Sequence, residues 1–318
     1  MHTTKEAEIW HDRERVMATL RLTAGSVMIS FAPVLVNLTH VGPTISAFYR
    51  MLFGGAVLVV IAVVRRGRLP DWRHLGGGAL AGAFLALDLA VWHRSILYVG
   101  PGLATILANL QVFFFAGFGI VMLGERMTRR LAVAIPLAVA GLVLVFGFQG
   151  SLANADYRLG VVLGFLTAVL YAAYLVTLRH TRLQAANVDP AVTVAVLSVV
   201  AAALLGAMGW LEGGSFRIPD RQTWAALVGL GLVPQVVGWL LITSALPRIE
   251  ASRAGLLLLL QPALAFVWDM VFFARATRGA EIAGAIITLG AIYVGMTGRA
   301  TMHEPQKPAE PRIEASGS

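Results

Sequence analysis

The chain has 318 residues, of which 58% are hydrophobic and 13% charged, with a formal net charge of +8 and no cysteine. Soluble domains carry about 25% charged residues, so the composition excludes an ordinary water-soluble protein. The basic residues lie in short connectors between apolar segments, which argues against nucleic-acid binding, and the lack of cysteine excludes disulfides and thiolate chemistry.

Long apolar segments dominate the chain. A hydrocarbon core about 30 Å thick requires about 20 apolar helical residues, and ten segments meet this requirement. None shows the alternating pattern of membrane-barrel strands. In chain order they are Leu20–Leu38, Thr44–Val64, Leu75–Tyr98, Leu103–Leu123, Leu131–Phe148, Leu159–Leu178, Ala191–Leu211, Trp224–Leu246, Ala254–Phe273 and Ala280–Thr297. We therefore predict an all-α integral membrane protein with ten transmembrane helices.

The connectors set the predicted orientation. With a cytoplasmic N-terminus, the predicted inner segments hold 18 lysine and arginine residues and the outer connectors 6. The bias is strong in the first half and weak in the second, and it places both termini in the cytoplasm. The predicted organisation is a cytoplasmic N-terminal segment at 1–19, five-helix units at 20–149 and 150–298, and a disordered cytoplasmic tail at 299–318.

The two predicted units show internal similarity. The stretch ATILANLQ at Ala104–Gln111 aligns with AGLLLLLQ at Ala254–Gln261, and VGP at Val41–Pro43 corresponds to VDP at Val188–Pro190. Because five is an odd number, two such units in series face opposite ways across the membrane. Inverted repeats of this kind are typical of secondary transporters, whose substrate site lies near the bilayer midplane between the repeats.

Several longer stretches resemble a known family. They are ISAFYRMLFGG in the second helix, AVWHRSILYVGPGLATILANLQVFFFAGFGIVMLGERMTRR across the third and fourth, AGLVLVFG in the fifth, and SALPRIEASRAGLLLLLQPALAFVWDMVFF and IAGAIITLGAIYVG in the second half. From Arg21 to Gly298 their order resembles the drug/metabolite transporter superfamily, EamA type. One departure is Ala274–Arg275, where the first half has Gly124–Glu125. The resemblance implies a multi-pass permease of the bacterial inner membrane that moves a small metabolite, often outward, by alternating access.

Two ionisable residues lie deep in the predicted helices. Asp88 is about 15 Å and Arg50 about 10 Å from the outer ends of their helices. Charges at such depth are costly and usually have a partner or a function. We predict that Arg50 and Asp88 form a pair lining the substrate cavity, with Asp88 also a candidate proton or cation acceptor. The alternative is a fixed pair that only holds the second and third helices together.

The rest of the segment DLAVWHRS divides by helical face. Trp92 lies on the face of Asp88 and is a candidate cavity aromatic, or else an interfacial tryptophan. His93 and Arg94 point elsewhere. His93 is a candidate pH-sensitive gate or an interhelical hydrogen-bonding group, and Arg94 is either an entrance residue or a side chain that reaches the outer interface.

Further candidates come from the repeat and from prolines. Gln111 and Gln261 occupy corresponding positions, and their amides suit either a polar substrate or contacts between helices. Proline removes a backbone hydrogen bond, so Pro234 beside Gln235 and Pro262 beside Gln261 predict kinks next to polar side chains. Kinks without ligand contact are the alternative.

The remaining candidates are aromatic or acidic. Tyr49 and Tyr171 are candidates for stacking on a flat substrate, with ordinary packing as the alternative. Asp269, toward the outer end of the ninth helix, is either a further candidate gate or the partner of a nearby basic group such as Arg275. Glu125, beside Arg126 at the cytoplasmic end of the fourth helix, is interpreted as interfacial structure.

The competing classes are a membrane enzyme and a channel. The seven histidines are scattered, no catalytic constellation or phosphate-binding loop is visible, and rings of filter residues are missing. We therefore predict an inner-membrane secondary transporter, not an enzyme, that exports a small polar, amino-acid-like metabolite. No cofactor, metal or nucleic-acid partner is expected. Protons are the candidate coupling ion, and the expected state is a monomer or weak dimer.

Overall fold

The computed structural model describes residues 2–65, 71–147, 155–185, 187–274 and 277–296. This described part of the chain is helical, without strands, which confirms the all-α prediction. The helices are α1 (His2–Ser30), α2 (Ala32–Asn37), α3 (Pro43–Val64), α4 (Trp72–Asn109), α5 (Gln111–Leu123), α6 (Arg129–Phe146), α7 (Ala155–Gln184), α8 (Pro190–Leu211), α9 (Arg221–Leu230), α10 (Trp239–Ala245), α11 (Ala251–Leu258), α12 (Leu260–Phe273) and α13 (Gly279–Met296). A π-helix (Gly231–Gly238) joins α9 to α10, and a 3-10 turn (Leu246–Arg248) follows α10. The predicted tail at 299–318 lies outside the described residues.

Nine helical stretches within the described ranges are long and apolar enough to cross a membrane. One of them, Trp72–Leu123, has 52 residues. At 1.5 Å per residue it would measure about 78 Å, far more than a hydrocarbon core of about 30 Å. The backbone leaves the helical conformation inside it, because Gly100 has φ 78° and ψ 163° and is followed by Pro101. The predicted third and fourth helices meet at this bend.

Other helix interruptions lie beside prolines. Helix α1 ends before Phe31, two residues before Pro33. Helix α11 ends and α12 begins around Leu259, three residues before Pro262. Pro234 lies inside the π-helix. Proline lacks an amide hydrogen and clashes with the carbonyl four residues earlier, so a regular α-helix cannot continue through these positions.

Corresponding features recur in the two halves. The junction of α4 and α5 at Leu110 has φ −62° and ψ −10°, and the junction of α11 and α12 at Leu259 has φ −65° and ψ −12°. Helix α3 packs on α8, α5 on α11 and α6 on α13. In addition, α4 packs on α7 and α1 packs on α10. Each contact therefore joins elements from different halves of the chain.

Glycines allow the closest of these contacts. A Cβ atom added to Gly284 in α13 would lie 2.5 Å from the carbonyl oxygen of Gly141 in α6. Across the same crossing, Thr288 Oγ1 donates a hydrogen bond to the Ala138 carbonyl at 3.1 Å. Small residues bring helix backbones together in this way in membranes, where packing replaces the hydrophobic effect.

A loop contact outside the spanning helices fixes the start of α9. Asp220 accepts hydrogen bonds from the Thr223 backbone N–H and from His40 Nδ1, each at 2.7 Å. Chiefly because of the His40 hydrogen bond, the pKa of Asp220 falls to about 2. The carboxylate is therefore charged at physiological pH, and its contribution to stability is lost only as the pH falls from about 4 toward 2.

The ends of α5 and α12 give a test of the backbone. Gly124 ends α5 with φ 63°, and Ala274 ends α12 with φ 47°. A side chain in this left-handed region costs about 1 kcal/mol. We expect Ala274→Gly to raise the free energy of unfolding by about 1 kcal/mol and Gly124→Ala to lower it by about as much. Denaturant unfolding in detergent measures both, and shifts of the same sign would contradict the left-handed geometry.

Candidate functional site

A cavity of about 630 Å³ lies between α1, α2, α3, α4, α6, α7, α10 and α12. Its volume falls in the range of about 300–1,000 Å³ that is usual for small-molecule sites. Six of the residues singled out in the sequence line it, namely Arg50, Asp88, Trp92, Tyr171, Gln261 and Asp269. Five do not, namely Tyr49, His93, Arg94, Gln111 and Gln235.

Asp88 projects from the middle of α4 and is 7% exposed. Its Oδ1 atom is buried and has no hydrogen-bond partner among the described residues. Leu85, one turn earlier, and Leu89, the next residue, also line the cavity and add apolar surface near Asp88. A buried oxygen without a partner is costly, so this atom is where a ligand donor would gain most by binding.

Arg50 enters the cavity from α3 and is held by Gln235. Its Nε donates to Gln235 Oε1 at 3.2 Å, and Gln235 Nε2 donates to Ser198 Oγ at 2.8 Å. The approach is possible because Gly54, one turn along α3, leaves room for the Gln235 side chain, which a Cβ there would meet at 2.6 Å. The predicted ion pair with Asp88 is not formed in this structure. Gln235 therefore positions the arginine instead of lining the cavity.

Aromatic rings form the inner wall of the cavity. Tyr171 stacks on Tyr174 with ring centroids 6.0 Å apart, and Tyr174 meets Trp239 edge-on at 5.0 Å. The Tyr171 and Gln261 side chains both line this wall of the cavity. Gln261 Nε2 is buried without a partner among the described residues, so this donor remains for a ligand.

Gln111 and Tyr49 lie in packed surroundings. Gln111 is fully buried in α5, and neither of its amide atoms has a hydrogen-bond partner within the described ranges. The Tyr49 hydroxyl donates to the Phe216 carbonyl at 2.5 Å, and its ring contacts Phe48 and Phe53. In this conformation Tyr49 makes packing contacts and does not line the cavity.

The residues that follow Trp92 point away from the cavity, as the helical spacing predicts. Arg94 forms an ion pair with Glu212 at 3.0 Å, and both side chains are at least 40% exposed. An exposed pair of this kind contributes little stability, about 0–1 kcal/mol. His93 Nδ1 is buried without a hydrogen-bond partner in the described structure.

Sequence reasoning missed part of the lining. Further polar lining residues are Ser30, Thr105, Thr167 and Asn109. Thr105 donates to the Pro101 carbonyl, and Asn109 donates to the Thr105 carbonyl. The sequence contains a pattern that could have indicated the polar lining residues of α4. One helical face carries Pro101, Thr105 and Asn109 at intervals of four residues. No cluster of three or more potential metal ligands occurs among the described residues.

Comparison with known proteins identifies the family of this chain. The sequence model of the EamA-like transporter family matches residues 17–147 and again residues 158–297. A Salmonella typhimurium protein named as a probable amino-acid metabolite efflux pump is 25% identical over 284 residues, which cover 85% of this chain and 91% of that protein. The pseudopaline exporter of Pseudomonas aeruginosa is 24% identical over 242 residues, which cover 76% and 81%.

A solved crystal structure has the same fold. It superposes with a TM-score of 0.76 over 88% of this chain and 98% of the other chain, at 21% sequence identity. Nine helical stretches in the described part of the chain are long and apolar enough to cross a membrane, and the two family matches together cover most of the chain. The protein is therefore a multi-pass membrane transporter and belongs to the EamA-like transporter family.

Proposed function

We propose that the protein is a secondary transporter of the inner membrane that exports small zwitterionic metabolites of the amino-acid type by alternating access. The observation that carries this proposal is the cavity in which a carboxylate, Asp88, and a guanidinium, Arg50, lie without pairing with each other. The name of the Salmonella relative, a probable amino-acid metabolite efflux pump, supports the substrate class and the direction.

The unpaired charges argue for a zwitterion. Opposite charges attract strongly in a low-dielectric interior, so two that stay apart each require another partner. A zwitterionic substrate supplies the complementary charge to both. An ammonium group would donate to Asp88, and a carboxylate would bind the forked donors of Arg50. The Gln261 amide and the Tyr171 ring would then contact the remaining polar and apolar atoms of the substrate.

Asp88 also gives a route to proton coupling. In the proposed cycle the Asp88 carboxylate binds either a proton or the ammonium group of the substrate. Proton and substrate then compete for the same oxygen atoms. Exchange of one for the other during each cycle would couple export to proton entry.

We propose ten spanning helices in two inverted repeats, with both termini in the cytoplasm. The 52-residue stretch counts as two spans because it bends at Gly100. The matching junctions at Leu110 and Leu259, the cross-packing of the halves and the twofold family match support the repeat. In this orientation the cavity opens outward. Gln111, the counterpart of Gln261, would contact the substrate in the inward-open state.

The two corresponding glutamines give a matched test of the site. A thermal-shift screen of purified protein against amino acids and related zwitterions should give a stabilising compound. We expect Gln261→Ala to remove most of that stabilisation and Gln111→Ala to keep most of it, because only Gln261 lines the cavity described here. A compound whose stabilisation survives both Gln261→Ala and Asp88→Asn would refute this placement of the site.

Counterflow of radiolabelled substrate in proteoliposomes tests the transport itself. A transporter accumulates label transiently when unlabelled substrate fills the vesicles, and the effect saturates with concentration. A channel only equilibrates the label, and an enzyme converts it. Accumulation of unchanged label would therefore exclude the alternatives of a channel and an integral-membrane enzyme.

A further inference from the structure

A buried ion pair lies beyond the closed end of the cavity. Arg179 Nη2 and Glu125 Oε1 are 2.6 Å apart, and the two side chains are 7% and 12% exposed. Arg179 follows the cavity residue Tyr171 by eight residues of α7, or about 12 Å. Glu125 follows α5 directly. A pair buried to this degree is shielded from water and salt, unlike the exposed pairs elsewhere on the protein.

The two side chains also bind backbone groups of the second half. Arg179 donates to the carbonyl oxygens of Leu246 at 3.2 Å and Ile249 at 2.9 Å. Glu125 Oε2 accepts the Ala251 backbone N–H at 2.7 Å, which caps the start of α11. We call the Glu125 and Arg179 side chains with these three backbone partners the latch. It ties α5 and α7 to the 3-10 turn after α10 and to α11.

The corresponding positions of the first half show the opposite situation. Arg179 corresponds to Ala32 in the register that aligns Val41–Pro43 with Val188–Pro190, and Ile249 and Ala251 correspond to Val99 and Pro101 in the register of Ala104–Gln111. Ala32, Val99 and Pro101 all line the open cavity. Because an alanine stands in place of the arginine, the same ion pair cannot form at that end of the bundle.

We infer that the latch is a gate: it closes the end of the transporter opposite the cavity mouth, and it must break when the cavity opens at that end. This inference rests on the alternating access proposed above. The latch contacts exist only while α5, α7 and α11 stay together, so they favour the state that is open at the Gly100 end. In the proposed orientation this is the outward-open state.

A glycine next to the latch allows it to be weakened without changing any charge. A Cβ atom at Gly119 in α5 would contact Glu125 Oε2 and would lie 2.8 Å from Ala251 Cβ. Gly119→Ala therefore displaces the carboxylate. Gly117, two residues earlier in the same helix, has nothing within 4 Å of the place where a Cβ atom would lie. Gly117→Ala is the matched control, because both changes alter helix propensity equally.

The natural absence of cysteine allows a direct measurement of accessibility. Ala108→Cys places one thiol in the cavity wall. Its reaction with a membrane-impermeant methanethiosulfonate is followed in right-side-out and inside-out vesicles, with an intact latch and with Gly119→Ala, Glu125→Gln or Gly117→Ala. Size-exclusion chromatography confirms that each variant is folded.

With an intact latch we expect fast labelling from the Gly100 side and slow labelling from the latch side. Gly119→Ala and Glu125→Gln should slow the first reaction and speed the second, each by about tenfold. Gly117→Ala should change neither rate. Folded latch variants with unchanged rates from both sides would overturn the inference. The labelling reports conformation without requiring transport, so a failure of counterflow would count against the proposed function and not against the gate.

Discussion

Replacing Asp88 with asparagine is expected to lower substrate counterflow at least about 100-fold while leaving the amount of folded protein unchanged. The amide has nearly the same shape, but it neither ionises nor takes up a proton. It therefore loses the charge-assisted hydrogen bond to an ammonium group, worth about 1.5–3 kcal/mol, and the proposed coupling step as well. Initial rates of counterflow, normalised to folded protein, measure the effect.

Asp156→Asn is the matched control for this variant. It makes the same chemical change at an exposed residue in the first turn of α7. Transport by this control should stay within about twofold of the unaltered protein, because an exposed charge of this kind contributes little. Loss of folded protein in Asp88→Asn would instead favour the alternative in which Asp88 only holds helices together.

Replacing Gly284 with a larger residue is expected to lower the free energy of unfolding strongly. A Cβ atom there would lie 2.5 Å from the Gly141 carbonyl oxygen and 2.8 Å from the Val145 backbone nitrogen. Backbone atoms cannot rotate away as side chains do, so α6 and α13 must separate and lose their packing. We expect Gly284→Leu to cost about 3 kcal/mol or more.

The control for this substitution lies in the same helix. Gly290 has nothing within 4 Å of the position that a Cβ would take, so Gly290→Leu should leave stability unchanged or raise it slightly. Thermal unfolding in detergent compares the two variants. Equal melting temperatures for Gly284→Leu and Gly290→Leu would contradict the close crossing of α6 and α13.

The positions of the helices were accessible to sequence reasoning because the bilayer imposes a length and an apolar composition. The cost of burying charge likewise pointed to Asp88 and Arg50, and both line the cavity. Their predicted pairing was wrong for this conformation. Depth along a helix gives the height of a residue, but it does not give the rotation of α3, which turns Arg50 toward Gln235.

Gln111 and Gln261 show that correspondence between repeats does not determine which residue lines the cavity in a given state. Gln111 and Gln261 correspond in sequence and so received the same predicted role, yet only Gln261 lines the cavity described here. A transporter that alternates between two states uses equivalent positions at different times.

Glu125 was interpreted as interfacial, and its burial against Arg179, 54 residues later, depends on tertiary packing that no local pattern reveals.

Competition in counterflow tests the central claim most directly, because it asks whether the cavity recognises both charges of a moving zwitterion. The best-transported amino acid competes with its own decarboxylated amine and its deaminated acid. We predict saturable counterflow of the intact amino acid, with the amine and the acid each at least about tenfold weaker as competitors. Flux that does not saturate, or equal competition by the three compounds, would contradict the assignment of Asp88 and Arg50 to the two ends of the substrate.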